Sequence, residues 1–274
     1  ATKKGARINT LDKKGSSTKI NPPVQPTSNN KITFLTKKIL AGITIVLITF
    51  LLTYTLLKTS TAPNPVYLDD NGITIKAKKW AKIGDQGIID DVLYTIVDKD
   101  SLLVMIEKGY FVNTVCTSLM TDMSRLFNTR RAFNQDISNW DVSNVSNMSS
   151  MFRDAESFNQ PIGDWDVSNV TRMEYMFSGA YSFNQPIGTW DVSNVNNMSN
   201  MFSASVSFNQ DLNSWDVGKV TKMFSMFREA TSFNQDLSSW DVSKVRFESY
   251  FFNSRESFNY KAPQWTLPKP KFKN

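Results

Sequence analysis

The 274-residue chain contains no histidine. It therefore lacks the side chain that most often serves as general base, proton shuttle or metal ligand near neutral pH. Cys116 is its only cysteine, so no intrachain disulfide can form and no thiolate cluster can hold a metal. A lone cysteine of this kind is expected to behave as a small buried hydrophobe. Neither a Gly-rich phosphate loop nor a catalytic motif is present. These absences argue against an enzyme, and no catalytic, cofactor-binding or metal-binding residue is assigned.

Net positive charge is confined to one segment. The net charge is +6, but residues 1–38 carry nine Lys/Arg against Asp12 alone, or +8, which leaves −2 for the remainder. The basicity belongs to a polar arm, 1–38, too poor in apolar residues to bury a core. Its expected partners are anionic lipid headgroups or an acidic protein, with no specific nucleic acid.

The one long hydrophobic run is "ILAGITIVLITFLLTYTLL", Ile39–Leu57, 19 uncharged residues between Lys37-Lys38 and Lys58. At 1.5 Å per residue it spans roughly 28 Å, about one hydrocarbon core. It predicts a transmembrane helix over 39–57, with membrane lipid as partner. A signal peptide would have a much shorter charged leader, and a buried core helix is the third reading. The basic arm predicts a single-pass topology with the N-terminus on the cytoplasmic side and the rest across the membrane, at a cell surface or in a virion.

Residues 58–65 read as a stiff linker containing "TAPNP". Residues 66–115 alternate apolar runs with turn signals and predict a small β-rich N-terminal cap segment. It is expected to hold two or three short strands and then a helix at about 101–109. The Asp-rich turns, Asp69-Asp70 and Asp90-Asp91, read as solvated turns rather than calcium loops.

From 116 to 257 the chain repeats every 25 residues without insertion or deletion. Phe133, Phe158, Phe183, Phe208, Phe233 and Phe258 keep this interval, as do Trp140, Trp165, Trp190, Trp215, Trp240 and Trp265. A strict period of this length predicts a repeat solenoid of stacked coils in which these residues form continuous internal ladders. Each coil is expected to hold a short parallel β-strand near "DISNW", a turn at "DVSN" and a short helix over "VSNMSSMFRDA". Residues 258–274 are expected to be a C-terminal cap and basic tail.

The motif "FNQ[DP][IL]xxWDVSxVxxMxxMF", over residues 116–265, resembles the BspA-like family of leucine-rich-repeat surface proteins, first recognised partly in mycoplasmas. The resemblance implies a leucine-rich-repeat-type solenoid, exposure at a surface or envelope, and adhesion or protein binding. It implies no catalytic residues. The basic arm and uncharged run depart from the cleavable leader that family members often carry.

The row Asp141, Asp166, Asp191, Asp216 and Asp241 could bridge calcium, but with no second acidic row beside it the expected role is to accept backbone N–H bonds in the D-V-S-N turns. The Asn-Gln pairs, beginning with Asn134-Gln135, are expected to hydrogen-bond between coils. Sequons occur at Asn144, Asn147, Asn169 and Asn197 and follow from the repeat composition. Tyr175, Tyr181, Phe224, Phe247 and Tyr250 stand where other units have Ser, Asn or Thr, and are the candidate partner contacts. The expectation is a non-catalytic, membrane-anchored surface or envelope protein whose repeats bind another protein or a surface. The alternative is a minor structural protein of a large particle, such as a virus capsid or envelope, touching neighbouring capsid proteins and tying an internal membrane to the shell.

Overall fold

The computed structural model describes residues 49, 51–58, 60–246 and 266–271. The chain divides into two compact units, Ala1–Leu52 and Thr53–Asn274. Of the first, only residues 49, 51 and 52 are described, and all three are helical. In the second, residues 53–58 are helical, and Lys58 donates to Asp91 Oδ1 at 2.5 Å.

Between residue 66 and the repeats stand five short strands and a helix. Strands β1 (Val66–Leu68) and β2 (Ile75–Ala77) pair antiparallel. Strands β3 (Gln86–Ile89) and β4 (Val92–Ile96) form a hairpin, and β5 (Val115–Cys116) joins β4 in parallel. The hairpin loop is Asp90-Asp91, both at positive φ, as a two-residue turn with matching twist requires. Helix α1 (Lys99–Glu107) starts where the Asp98 side chain accepts the Ser101 N–H at 2.8 Å. It ends at Gly109, φ 70°, with Tyr110 N–H on the Met105 carbonyl and Gly109 N–H on that of Ile106. Cys116 is buried, and burial pushes its thiol pKa up.

Strand β2 lies beside the first repeat, Ile75 N–H donating to the Asn139 carbonyl at 2.9 Å. Leu102, Val112 and Val115 belong to the same buried cluster as Phe127, Trp140 and the interior of every later coil.

The five coils, 122–146, 147–171, 172–196, 197–221 and 222–246, are built from turns. In the second and third, i to i+3 hydrogen bonds close Ile162 to Trp165, Val167 to Val170, Met173 to Met176, Phe177 to Ala180 and Ala180 to Phe183. Each of these turns begins and ends on an apolar residue, and both ends are buried. The rows this creates run the length of the stack. Phe127, Phe152, Phe177, Phe202 and Phe227 lie 5.4–5.7 Å apart, ring to ring. The row from Phe133 to Phe233 repeats at 5.9–6.0 Å. Within a coil the two phenylalanines stack at 3.7–4.1 Å. Burying each such ring contributes roughly 1.5–3 kcal/mol.

The expected fold class, a leucine-rich-repeat-like solenoid with one strand and one helix per coil, is overturned by this construction, and the transmembrane helix expected before it is not found among the described residues. In place of a parallel sheet, adjacent coils share single bridges: Asp122 to Asn147, Asn147 to Arg172, Arg172 to Asn197 and Asn197 to Lys222. The predicted strand near "DISNW" is interrupted by the turn from Ile137 to Trp140. The predicted helix fails because its N–H groups point out of the coil. Met148, Ser150, Phe152 and Asp154 donate to the carbonyls of Arg172, Glu174, Met176 and Ser178 in the next coil, at 2.7–2.9 Å. Ser150 and Asp154 have positive φ, which no right-handed helix accommodates.

The same four rungs recur at the next two interfaces, so the peptide N–H groups of these rows face forward and the bonded carbonyls face back. Lys99, a cation, sits at the carbonyl end of these rows on Asp122 and Ser124, each at 3.0 Å. No helix among the described residues is long and apolar enough to cross a membrane. Most of the 39–57 run lies outside the described residues, as does the basic arm.

Candidate partner-binding face

Polar side chains between coils are consumed by the stack itself. Asn159 Oδ1 accepts the Asn184 N–H at 3.0 Å and the Gln185 Nε2 at 3.0 Å, and the same pairing repeats from Asn134 to Gln235. Each described ladder tryptophan donates its indole N–H to a carbonyl 28 residues earlier, at 2.9–3.2 Å. Trp140, Trp165, Trp190, Trp215 and Trp240 are buried, as are Phe158, Phe183, Phe208 and Phe233, while Phe133 is half-buried. Trp265 and Phe258 lie outside the described residues.

The aspartate row is equally occupied. Asp141, Asp166, Asp191 and Asp241 each accept the N–H of the Ser two residues on, and Asp216 that of Gly218. The hydroxyl and N–H of Ser193 hold the Asp191 carboxyl below its ordinary pKa. An open recess between the third and fourth coils is lined by Trp190, Asp191, Gln210, Asp211 and Asp216. Its three carboxylates accept from their own turns. Among the described residues no group of three or more Cys, Asp or Glu is placed to hold a metal ion. Two sequon amides, Asn144 and Asn169, donate across coils to the carbonyls of Ser118 and Ser143.

The outward candidates fall in three places. Tyr175 and Tyr181 lie on the third coil and are 37% and 44% exposed. Phe224, two coils further on, is half-buried rather than outstanding. Phe247 and Tyr250 lie outside the described residues. Tyr175 has φ 59°, a left-handed conformation uncommon for a bulky side chain. Its counterparts in the other coils, Arg125, Ser150, Asn200 and Ser225, share that conformation.

Two features beside Tyr175 escape single-position reading. The Arg153 guanidinium, from the preceding coil, lies 5.2 Å from the Tyr175 ring centroid. Glu174 is 8% exposed, accepts from Arg172, and keeps its second oxygen, Oε2, without a partner. Comparing coils position by position does flag Glu174, since Ser124, Ser149 and Ser199 stand at its place. The third coil thus carries Arg172, Glu174, Tyr175, Gly179 and Tyr181, where its neighbours carry mostly small or polar residues.

The family profile described as "Mycoplasma protein of unknown function, DUF285" matches residues 110–207 and again 186–271, more than half of the chain. The protein belongs to this DUF285 family. In this DUF285 protein the matched region opens at Tyr110, just past α1, and takes in all five coils. Strands β1 to β4 precede it. No curated protein and no solved structure matches the chain.

Proposed function

We propose that this DUF285 protein is a non-catalytic binding protein whose repeats engage another protein through the outer face of the third coil, as a surface or envelope component of BspA-like kind. The supporting observation is Tyr175. A tyrosine in the left-handed region costs roughly 1–2 kcal/mol relative to glycine, and its side chain lies half in solvent rather than in the core that could offset this. The left-handed backbone recurs at this position in every coil, so what sets the third coil apart is that an exposed aromatic occupies it. Tyrosine and arginine are also the residues that most often anchor interfaces, and Arg153 stacks on the Tyr175 ring. The uncharged run Ile39–Leu57 and its basic flank support membrane attachment.

A photo-crosslinking residue placed at 175 or 181 in the full chain, in its native setting, tests the reading. Both sites should yield an adduct with the same protein, and a control at Asp166 should not. Adducts from 166 in equal yield, or none from 175 and 181, would refute it.

A further inference from the structure

Inside the stack, each ladder asparagine offers its Oδ1 to two donors of the following coil: the N–H of the Asn 25 residues on and the Nε2 of the next Gln. At Asn234 the donors are different. Its Oδ1 accepts the backbone N–H of Thr266 at 2.6 Å and of Leu267 at 3.0 Å. The Leu237 N–H donates in turn to the Pro268 carbonyl at 3.0 Å, and Pro270 is buried. Continued period would bring residue 259 to Asn234, so Thr266 sits there seven residues out of register. Two consecutive main-chain N–H groups thus replace one main-chain and one side-chain donor. The Thr266 hydroxyl adds a third, longer donor to the same oxygen at 3.3 Å, while the two main-chain donors need only an extended backbone.

We propose that the last coil ends in a peptide-docking site, made by Asn234 Oδ1 and the Leu237 N–H, and that the chain's own residues 266–271 occupy it in cis as a detachable plug. The occupant is defined by its chemistry: two adjacent N–H donors followed by a prolyl carbonyl that accepts. Its prolines suit the role, because a Pro-rich segment is already extended and loses little entropy on docking. The segment also lacks repeat register, so it can leave without breaking the five coils.

The experiment compares amide exchange at Leu237 in the full chain and in the chain truncated after residue 263, with and without a synthetic peptide of residues 264–274. Truncation should speed exchange at Leu237 at least tenfold, while exchange at Trp190 stays unchanged. The peptide at millimolar concentration should restore protection, and its Leu267→Pro version, which lacks one of the two donors, should not. Unchanged exchange after truncation would overturn the proposal. So would equal rescue by the Leu267→Pro peptide, and so would slowed exchange in the truncated chain on raising its concentration without peptide, which would point to a second copy as occupant. None of these results depends on Tyr175 or Tyr181, so the plug and the partner-binding face stand or fall separately.

Discussion

The indole Nε1 of Trp190 donates to the carbonyl of Ile162, 28 residues earlier, at 3.0 Å, with both residues buried. This bond explains why the row is tryptophan and not phenylalanine. Trp190→Phe keeps an aromatic ring but removes one of the two hydrogen bonds to the Ile162 carbonyl, which retains the Trp165 N–H, at a cost of about 0.5–1.5 kcal/mol. Trp190→Ala removes the ring as well and should cost about 3–5 kcal/mol. Urea melts of both variants check the order and the spacing.

Asn184 makes the same argument for a polar row. Its Oδ1 accepts the Asn209 N–H and the Gln210 Nε2, both at 2.9 Å. Asn184→Ala should destabilise by roughly 0.5–1.5 kcal/mol, because two donors lose one acceptor while Gln210 keeps the Asn184 carbonyl. Asn184→Asp keeps that acceptor and should recover most of the loss above the carboxyl pKa. Thermal melts at pH 7 compare the two.

The strained turn positions give a prediction of opposite sign. Tyr175 shares its left-handed backbone with Asn200 in the next coil. Asparagine tolerates that conformation far better than tyrosine. Tyr175→Asn should therefore leave stability unchanged or raise it by up to about 1 kcal/mol. A fall of more than 1 kcal/mol in a chemical melt would show that the ring contributes packing that its exposure does not reveal.

How much of this was legible in the sequence divides along physical lines. The interior rows were, because 25-residue spacing of Phe158, Trp165 and Met173 has no other economical cause. The local backbone was not. Met148, Met151 and Phe152 have the spacing of a helical face, but successive i to i+3 turns bring the same positions inward. What decides between them is the direction of the N–H groups of Met148, Ser150 and Phe152, and that depends on a coil 25 residues away. Gly179 and Asn200 at left-handed positions were the faint local signal. The exposure of Tyr175 did not follow from its counterparts, since Ser150, Asn200 and Ser225 are themselves buried. Arg153 over its ring, and the slipped register of Thr266 on Asn234, are relations between coils that no single position announces.

Acid should loosen the N-terminal end of α1. The Ser101 hydroxyl and N–H hold the exposed Asp98 carboxyl below its ordinary value of 3.8. A depressed carboxyl contributes stability that is fully present above 3.8 and lost as pH falls through its folded pKa. Asp98→Asn keeps the cap but cannot titrate. The advantage of the native chain over Asp98→Asn should therefore hold at pH 7 and 5 and shrink at pH 3, as read from urea melts at the three values. An advantage that grows toward low pH would contradict the sign.

The central claim is that the interior rows hold the stack while the outer face of the third coil meets the partner. The most direct measurement pairs a thermal melt with partner binding for the double variant Tyr175→Asn, Tyr181→Ser in the full chain. The account predicts a melting temperature within about two degrees of the native chain, as expected of surface changes, and at least a tenfold loss of affinity for the protein crosslinked at 175 and 181. Native affinity in a folded double variant would contradict it.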